Sequence, residues 1–170
     1  MKSLQSPEIL NGKMILIVDD ERDVLDVLKG LLDMCKLDVA SSFEDARELL
    51  ETKYYDIVVL DIMGVRGYDL LEIADRRNIP ALMLTAHALS EEHLKRSAEM
   101  GASSYIPKEE IANIATYIAD VLEAREMNTN AWLKWFDRLS TFFDRKFGGT
   151  DWRKKEKQFW EEKLKGLHWR

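Results

Sequence analysis

Apolar residues along this chain fall into two alternating patterns. Met14–Val18, Ile57–Leu60 and Ala81–Leu84 are apolar throughout, while the stretches between them space apolar residues three or four apart. A short unbroken apolar run reads as a strand covered on both faces, and the wider spacing reads as a helix with one buried side. A helix from about Glu21 turns Val24, Leu25, Leu28, Leu31 and Leu32 inward. A weak edge strand around Leu37–Ala40 comes next, then Ser42 as the N-cap of a helix carrying Phe43, Ala46, Leu49 and Leu50. The third strand, Asp56–Leu60, leads through a loop with Gly64 and Gly67 to a helix built on Leu70, Ile73 and Ala74. After the fourth strand, Ser90 with Glu91, Glu92 and His93 marks a helix start. The fifth strand, Ser103–Ile106, precedes a last helix packed through Ile111, Ile114, Ile118 and Val121. Five strand–helix repeats predict a parallel sheet. Near-obligatory right-handed crossovers then place helices on both faces, giving a doubly wound α/β sandwich.

The pattern changes between Arg125 and Asn130. From Thr129 or Asn130 onward, Trp132, Trp135, Phe136, Leu139, Phe142, Phe143 and Phe147 share one broad helical face, which Gly148 and Gly149 end. Thr150 or Asp151 caps a second helix bearing Trp152, Phe159, Trp160 and Leu164, interrupted by the basic run Arg153–Lys157. The two segments predict an αα-hairpin. Charge divides the chain at the same place: residues 1–124 carry 13 Lys+Arg against 24 Asp+Glu, and residues 125–170 carry 12 against 7. All five tryptophans, Trp169 included, lie in the second part. The resulting division is an N-terminal extension, 1–12, an acidic α/β domain, 13–124, and a basic, aromatic helical tail, 125–170.

Composition narrows the classes further. A chain of 170 residues with 46% hydrophobic content holds one full domain and an appendage. Its single cysteine, Cys35, allows no intramolecular disulfide and is expected to pack on the apolar side of the first helix. The longest apolar runs fall far short of the ~20 residues that span a bilayer. Met1–Gly12 has no apolar centre of the kind a signal peptide needs, so a cytoplasmic location is expected. The tail aromatics have several possible uses: packing on one another or on the α/β domain, docking a partner, or pairing with a second copy. Membrane-surface or nucleic-acid binding is disfavoured, because the positive excess is modest and glutamates are mixed in. The tail is also too short for a winged-helix or helix-turn-helix domain.

Candidate chemistry sits at the strand ends. Asp19 and Asp20 follow the first apolar run, Asp61 the third strand, Thr85 the fourth, and Lys108 the fifth. Ligands of parallel sheets bind outside the carboxyl ends of the strands. Three carboxylates, a hydroxyl and an ammonium would therefore meet at one edge, a set suited to a divalent cation and a phosphate. Taken singly, each has a plainer reading: Asp19 as a helix N-cap, Asp20 and Glu21 as acids favoured by the helix dipole, Thr85 as a cap, Lys108 as a solvated lysine. Convergence on one edge is what favours the joint site. His87 and His93 have no metal-ligand spacing and read as surface residues, with His87 near the mouth of the site.

Val18–Glu21, Leu60–Asp61, Leu84–Ala86 and Tyr105–Lys108, in this order and at this spacing, resemble the receiver domain of bacterial two-component response regulators. The resemblance covers about residues 13–124. It implies a flavodoxin-like sheet of order 2-1-3-4-5, a Mg2+ ion held by Asp20 and Asp61 with Asp19 nearby and the backbone carbonyl of Met63, and Asp61 as acceptor of a phosphoryl group from a sensor histidine kinase. Lys108 and Thr85 would contact that group, and Thr85 with Tyr105 would switch the surface of helix 4, strand 5 and helix 5. Three departures stand out. The loop Asp61–Gly67 is about two residues short and lacks its usual proline, so Gly64 is expected to make the turn with positive φ. Glu109 follows Lys108 in place of proline, so a trans bond is expected there. Met63 and His87 change the character of the mouth.

The expected function is a signalling module acting through protein contacts, with no DNA-binding output, rather than an enzyme. The alternatives are a phosphate-independent scaffold and a Mg2+-dependent aspartyl-phosphate phosphatase. The phosphatase would need a second acid where Met63 stands. A nucleotide hydrolase is disfavoured because no glycine-rich phosphate loop is present.

Overall fold

The structure, a computed structural model, describes residues 7–86 and 90–165. Five parallel strands, β1 (Met14–Val18), β2 (Lys36–Ala40), β3 (Ile57–Leu60), β4 (Ala81–Thr85) and β5 (Ser104–Pro107), lie in the order 2-1-3-4-5. Every residue of β3, β4 and β5 is buried, as in β1 beyond Met14, while β2 at the edge is mostly half-exposed. That difference explains why β2 has the weakest apolar signal. Helices α1 (Arg22–Leu31), α2 (Phe43–Thr52), α3 (Gly67–Arg76), α4 (Glu91–Glu99) and α5 (Ile114–Met127) form the crossovers. α1 packs with α5, and α2 with α3. The expected caps form: Ser42 Oγ accepts from the Asp45 amide, and Ser90 Oγ from the His93 amide.

Register brings the carboxyl ends level. Val18 pairs with both Ala40 and Leu60, Leu60 with Met83, and Thr85 with Pro107. The next residues, Asp19, Asp61 and Lys108, therefore leave the sheet together beside Thr85. The Asp61 amide extends the ladder by donating to the Val18 carbonyl at 3.0 Å.

The tail consists of α6 (Ala131–Lys146), α7 (Asp151–Lys155) and α8 (Lys157–Lys163). Asn130 caps α6 by accepting from the Trp132 amide at 2.9 Å. The second arm of the predicted hairpin breaks at Glu156 (φ −112°, ψ 42°), inside the basic run, so it is two short helices. α6 packs on α5 and β5, and its buried Trp132, Trp135, Leu139 and Phe143 join the same core as the sheet. The aromatics pack both on one another, as Trp135 on Trp152 and Trp160, and on the α/β domain. The packing on the α/β domain explains why α5 is buried nearly all round, with Tyr117, Ala119 and Asp120 covered as well as Ile118 and Val121.

One local feature was unread and three local readings need correction. Part of the polar N-terminal extension is structured: Glu8–Leu10 forms a 3-10 turn whose Leu10 is fully buried. Cys35 lies in the turn after α1, not on the helix, half-buried with its thiol donating to the Leu10 carbonyl at 3.3 Å. The last crossover begins as a 3-10 helix, Lys108–Asn113, so Ile111 precedes α5. His93 is not a bare surface residue; it is half-buried, its Nδ1 lies 2.5 Å from the Tyr68 hydroxyl, and the two rings stack at 5.7 Å. His87 and Trp169 lie outside the described residues. Among the described residues no helix is long and apolar enough to cross a membrane.

Candidate functional site

Asp61 ends β3 with only 7% of its surface exposed, and Asp19 ends β1 with 1%. Two acids so placed need a partner, and the Lys108 ammonium supplies it from the end of β5. Its Nζ lies 2.8 Å from Asp19 Oδ2, 3.5 Å from Asp61 Oδ1 and 3.1 Å from Glu21 Oε1. Burial disfavours the ammonium, but the Asp19 contact and the charges of Asp61 and Asp19 outweigh it, so the Lys108 pKa is raised. For Asp61, burial and the neighbouring Asp19 charge push the carboxyl up to about 7, with Lys108 pulling the other way.

Asp19 combines two of its possible roles. Its Oδ1 accepts the Glu21 amide at 2.9 Å, the local bond expected of a residue opening a helix. Its Oδ2 is buried without a well-directed hydrogen bond, and the Lys108 contact there is ionic. Carboxylate oxygens of Asp19, Asp20 and Asp61 lie within 4.8 Å of one another, with Asp20 exposed at the mouth. Three clustered acids with one ammonium, that of Lys108, beside them leave uncompensated negative charge. That is a donor set a hard divalent cation takes. A cleft of about 280 Å³ opens here, lined by Asp20, Glu21, Asp61, Met63, Gly64, Thr85 and Lys108. The Thr85 side chain is 1% exposed, and that of Met63, at the rim, is 56% exposed.

The short loop after Asp61 is held by two glycines. Gly64 has φ +83°, as expected, and a Cβ there would lie 2.4 Å from Asp20 Oδ2. Gly67 opens α3 so tightly against the strand end that a Cβ would lie 2.1 Å from the Asp61 carbonyl oxygen. Arg66, left-handed at φ 55°, sits 4.0 Å over the Phe43 ring and pairs with Asp69 at 2.8 Å. Among the described residues there is no cis peptide bond, the one before Glu109 included.

The structure therefore brings Asp19, Asp20, Asp61, Thr85 and Lys108 together at the sheet edge, with Met63 at the rim. Tyr105, fully buried on β5, stands away from the cleft, its ring 5.8 Å from Phe143 of α6. Sequence reasoning missed the Glu21 contact to Lys108 and the close approach at Gly67. Glu21 carried a signal as the third acid of the Asp19–Glu21 run. Gly67 had none beyond its identity, because the backbone it touches is close only in the folded chain.

Comparison with known proteins matches residues 15–119 to the family described as "Response regulator receiver domain". Transcriptional regulatory protein CpxR of Klebsiella pneumoniae is 39% identical over 99 residues, covering 55% of this chain and 42% of that protein. YvrH of Bacillus subtilis is 31% identical over 133 residues, covering 71% of this chain and 55% of its own length. This chain thus spans about half the length of the curated relatives it matches. Among solved structures, a CheY-like receiver domain protein from Methanospirillum hungatei is 26% identical with a TM-score of 0.63, covering 69% of this chain and 99% of that one.

Proposed function

Because the chain belongs to the response regulator receiver family, we propose that Asp61 accepts a phosphoryl group from the phosphohistidine of a sensor kinase, and that residues 13–124 act as the receiver domain, signalling through protein contacts. The observation that carries this reading is the placement of one buried, ionisable carboxylate, Asp61, 3.5 Å from the Lys108 ammonium beside Asp19 and Asp20. In the step, a carboxylate oxygen of Asp61 attacks phosphorus, the phosphorus–nitrogen bond to the kinase imidazole breaks, and the imidazole leaves with the electron pair. The product is an acyl phosphate on Asp61.

The chain's own residues do most of their work through position and charge, as phosphoryl transfer generally requires. Lys108 neutralises an oxygen of the incoming group. The buried Thr85 hydroxyl lines the same cleft and donates to another. Asp20 and Asp61, with Asp19 adjacent and the Met63 carbonyl, are the groups that would hold Mg2+. When bound, that ion supplies positive charge against the phosphoryl oxygens and keeps the Asp61 carboxylate ionised. A phosphatase reading has no support here, since the exposed Met63 stands where a second acid is needed.

Incubating the full chain with Mg2+ and acetyl phosphate tests the proposal. The expected result is a mass gain of one phosphoryl group that disappears in Asp61→Asn. A gain that persists in Asp61→Asn would refute it, as would turnover of the donor without a labelled protein.

A further inference from the structure

We infer that the C-terminal helices α6–α8 are the receiver's own effector: they clasp the residues flanking Lys108 and the body of α4, so that occupation of Asp61 loosens their docking. The inference rests on Asp61 being the phosphoacceptor. It concerns where the signal goes within this chain.

Lys108 contacts the carboxylates directly, and both sides of it are tied to the tail. On one side, the Tyr105 carbonyl accepts from Trp135 Nε1 at 2.7 Å, and the Tyr105 ring packs on Phe143. On the other, Glu109 pairs with Lys146 of α6 at 3.1 Å. A pull on the Lys108 ammonium therefore acts on a segment held to α6 both before and after it in the chain.

Thr85 gives a second route. It lines the cleft, and only four residues separate it from Ser90, the N-cap of α4. Tyr105 meets this point too, its hydroxyl reaching the Ser90 backbone. α4 in turn is bound to the far end of the tail: Lys95 pairs with Glu156, and Glu91 with Lys155, both at 3.0 Å. The tail is thus fastened to two parts of the receiver. α6 grips β5 and α5, through Trp135 Nε1 on the Tyr105 carbonyl and Arg138 on Asp120, with Trp132 Nε1 on the Ala102 carbonyl just before β5 at 2.9 Å. α7 and α8 grip α4.

The direction of the effect comes from these two attachments. A rigid element bridging two supports is optimal for one spacing of them. A ligand that draws Thr85 and Lys108 towards Asp61 shifts the start of α4 relative to α5. The ion pairs to α4 are then stretched while the Trp132 and Arg138 contacts hold. The weaker attachment gives way, because exposed ion pairs contribute little against a buried aromatic anchor. α7 and α8, which the buried Trp152 and Trp160 hold against Trp135 of α6, should part from α4 and lose that support before α6 leaves β5.

The test uses the full chain with Mg2+ and beryllofluoride, a mimic of the phosphoryl group. Fluorine NMR reports binding, and hydrogen exchange reports docking of 131–163. With bound fluoride present, amides of α7 and α8 should exchange about five- to a hundred-fold faster, the usual range of coupling between sites, while α1–α3 do not change. A bound-fluoride signal with unchanged tail exchange overturns the inference and leaves Asp61 as phosphoacceptor. Absence of that signal removes the phosphoacceptor reading and this inference with it. Reciprocity gives an independent check. The variant Lys155→Gln/Glu156→Gln, which touches no residue of the cleft, should bind beryllofluoride more tightly by the factor through which it loosens the tail. A loosened tail with an unshifted titration midpoint also overturns the inference.

Discussion

Replacing Gly67 by alanine isolates the closest backbone contact at the site. An ideal Cβ there lies 2.1 Å from the Asp61 carbonyl oxygen and 2.8 Å from Ile62 Cα, both main-chain atoms. Comfortable carbon contacts are ~3.5–4 Å, so one side must retreat by more than ~1 Å. Neither side is free: the Asp61 amide is bonded to Val18, and the Gly67 amide donates to the Ile62 carbonyl at 3.0 Å. Overpacking of this kind costs about 1–3 kcal/mol, and alanine returns at most ~1 kcal/mol of helix propensity. The expected net loss is about 1–2 kcal/mol, a fall in Tm of about 2–8 °C for a chain of this size. Gly30→Ala is the control. Gly30 lies within α1, exposed, with nothing within 4 Å of where a methyl group would stand, so this change should gain about 0.5–1 kcal/mol. Thermal and urea unfolding followed by circular dichroism measure both. Phosphorylation of Gly67→Ala should fall more than its stability loss explains, because the shifted backbone carries Asp61. Equal Tm changes in the two variants, or a Gly67→Ala protein as stable and as readily phosphorylated as the parent, would refute the contact argument.

Mg2+ should raise the Tm of the parent in proportion to the logarithm of its concentration above Kd, and this rise should vanish in Asp20→Asn and Asp61→Asn; titration by scanning calorimetry checks it. Trp135→Ala removes a ring that is 2% exposed, stacked on Trp160 and bonded to the Tyr105 carbonyl, and should cost about 3–5 kcal/mol in denaturant unfolding. Asp38 has its pKa lowered below 3.8 by hydrogen bonds from Lys53 and then Tyr55. A carboxyl depressed in the folded state stabilises above its unfolded pKa, and that stabilisation is lost as pH falls through the folded value. Asp38→Asn should therefore be less stable than the parent at neutral pH, with the difference shrinking below about pH 4; matching acid limbs offset by a constant amount would contradict this.

The fold was legible in the residues because each buried strand must satisfy two covered faces at once. No other arrangement explains Met14–Val18, Ile57–Leu60 and Ala81–Leu84 between helix-period segments. Asp19, Asp61, Thr85 and Lys108 were legible for a related reason: parallel register makes the end of every strand a neighbour of the others. Ser42 and Ser90 marked their helix starts, and Thr129 or Asn130 bracketed that of α6, because capping is a local bond. What local pattern does not encode is the partner of a surface. The aromatic face of α6 is consistent with packing on the other tail helices or on the α/β domain, with a foreign protein or with a second copy; its seat on β5 and α5 depends on Asp120, Ala102 and Tyr105, which are distant in sequence. The same holds for Leu10 under Cys35, for His93 against Tyr68, and for Gly67 against Asp61. Periodicity declares which side of an element avoids water, whereas only the assembled chain, through distances between remote segments, declares what that side meets.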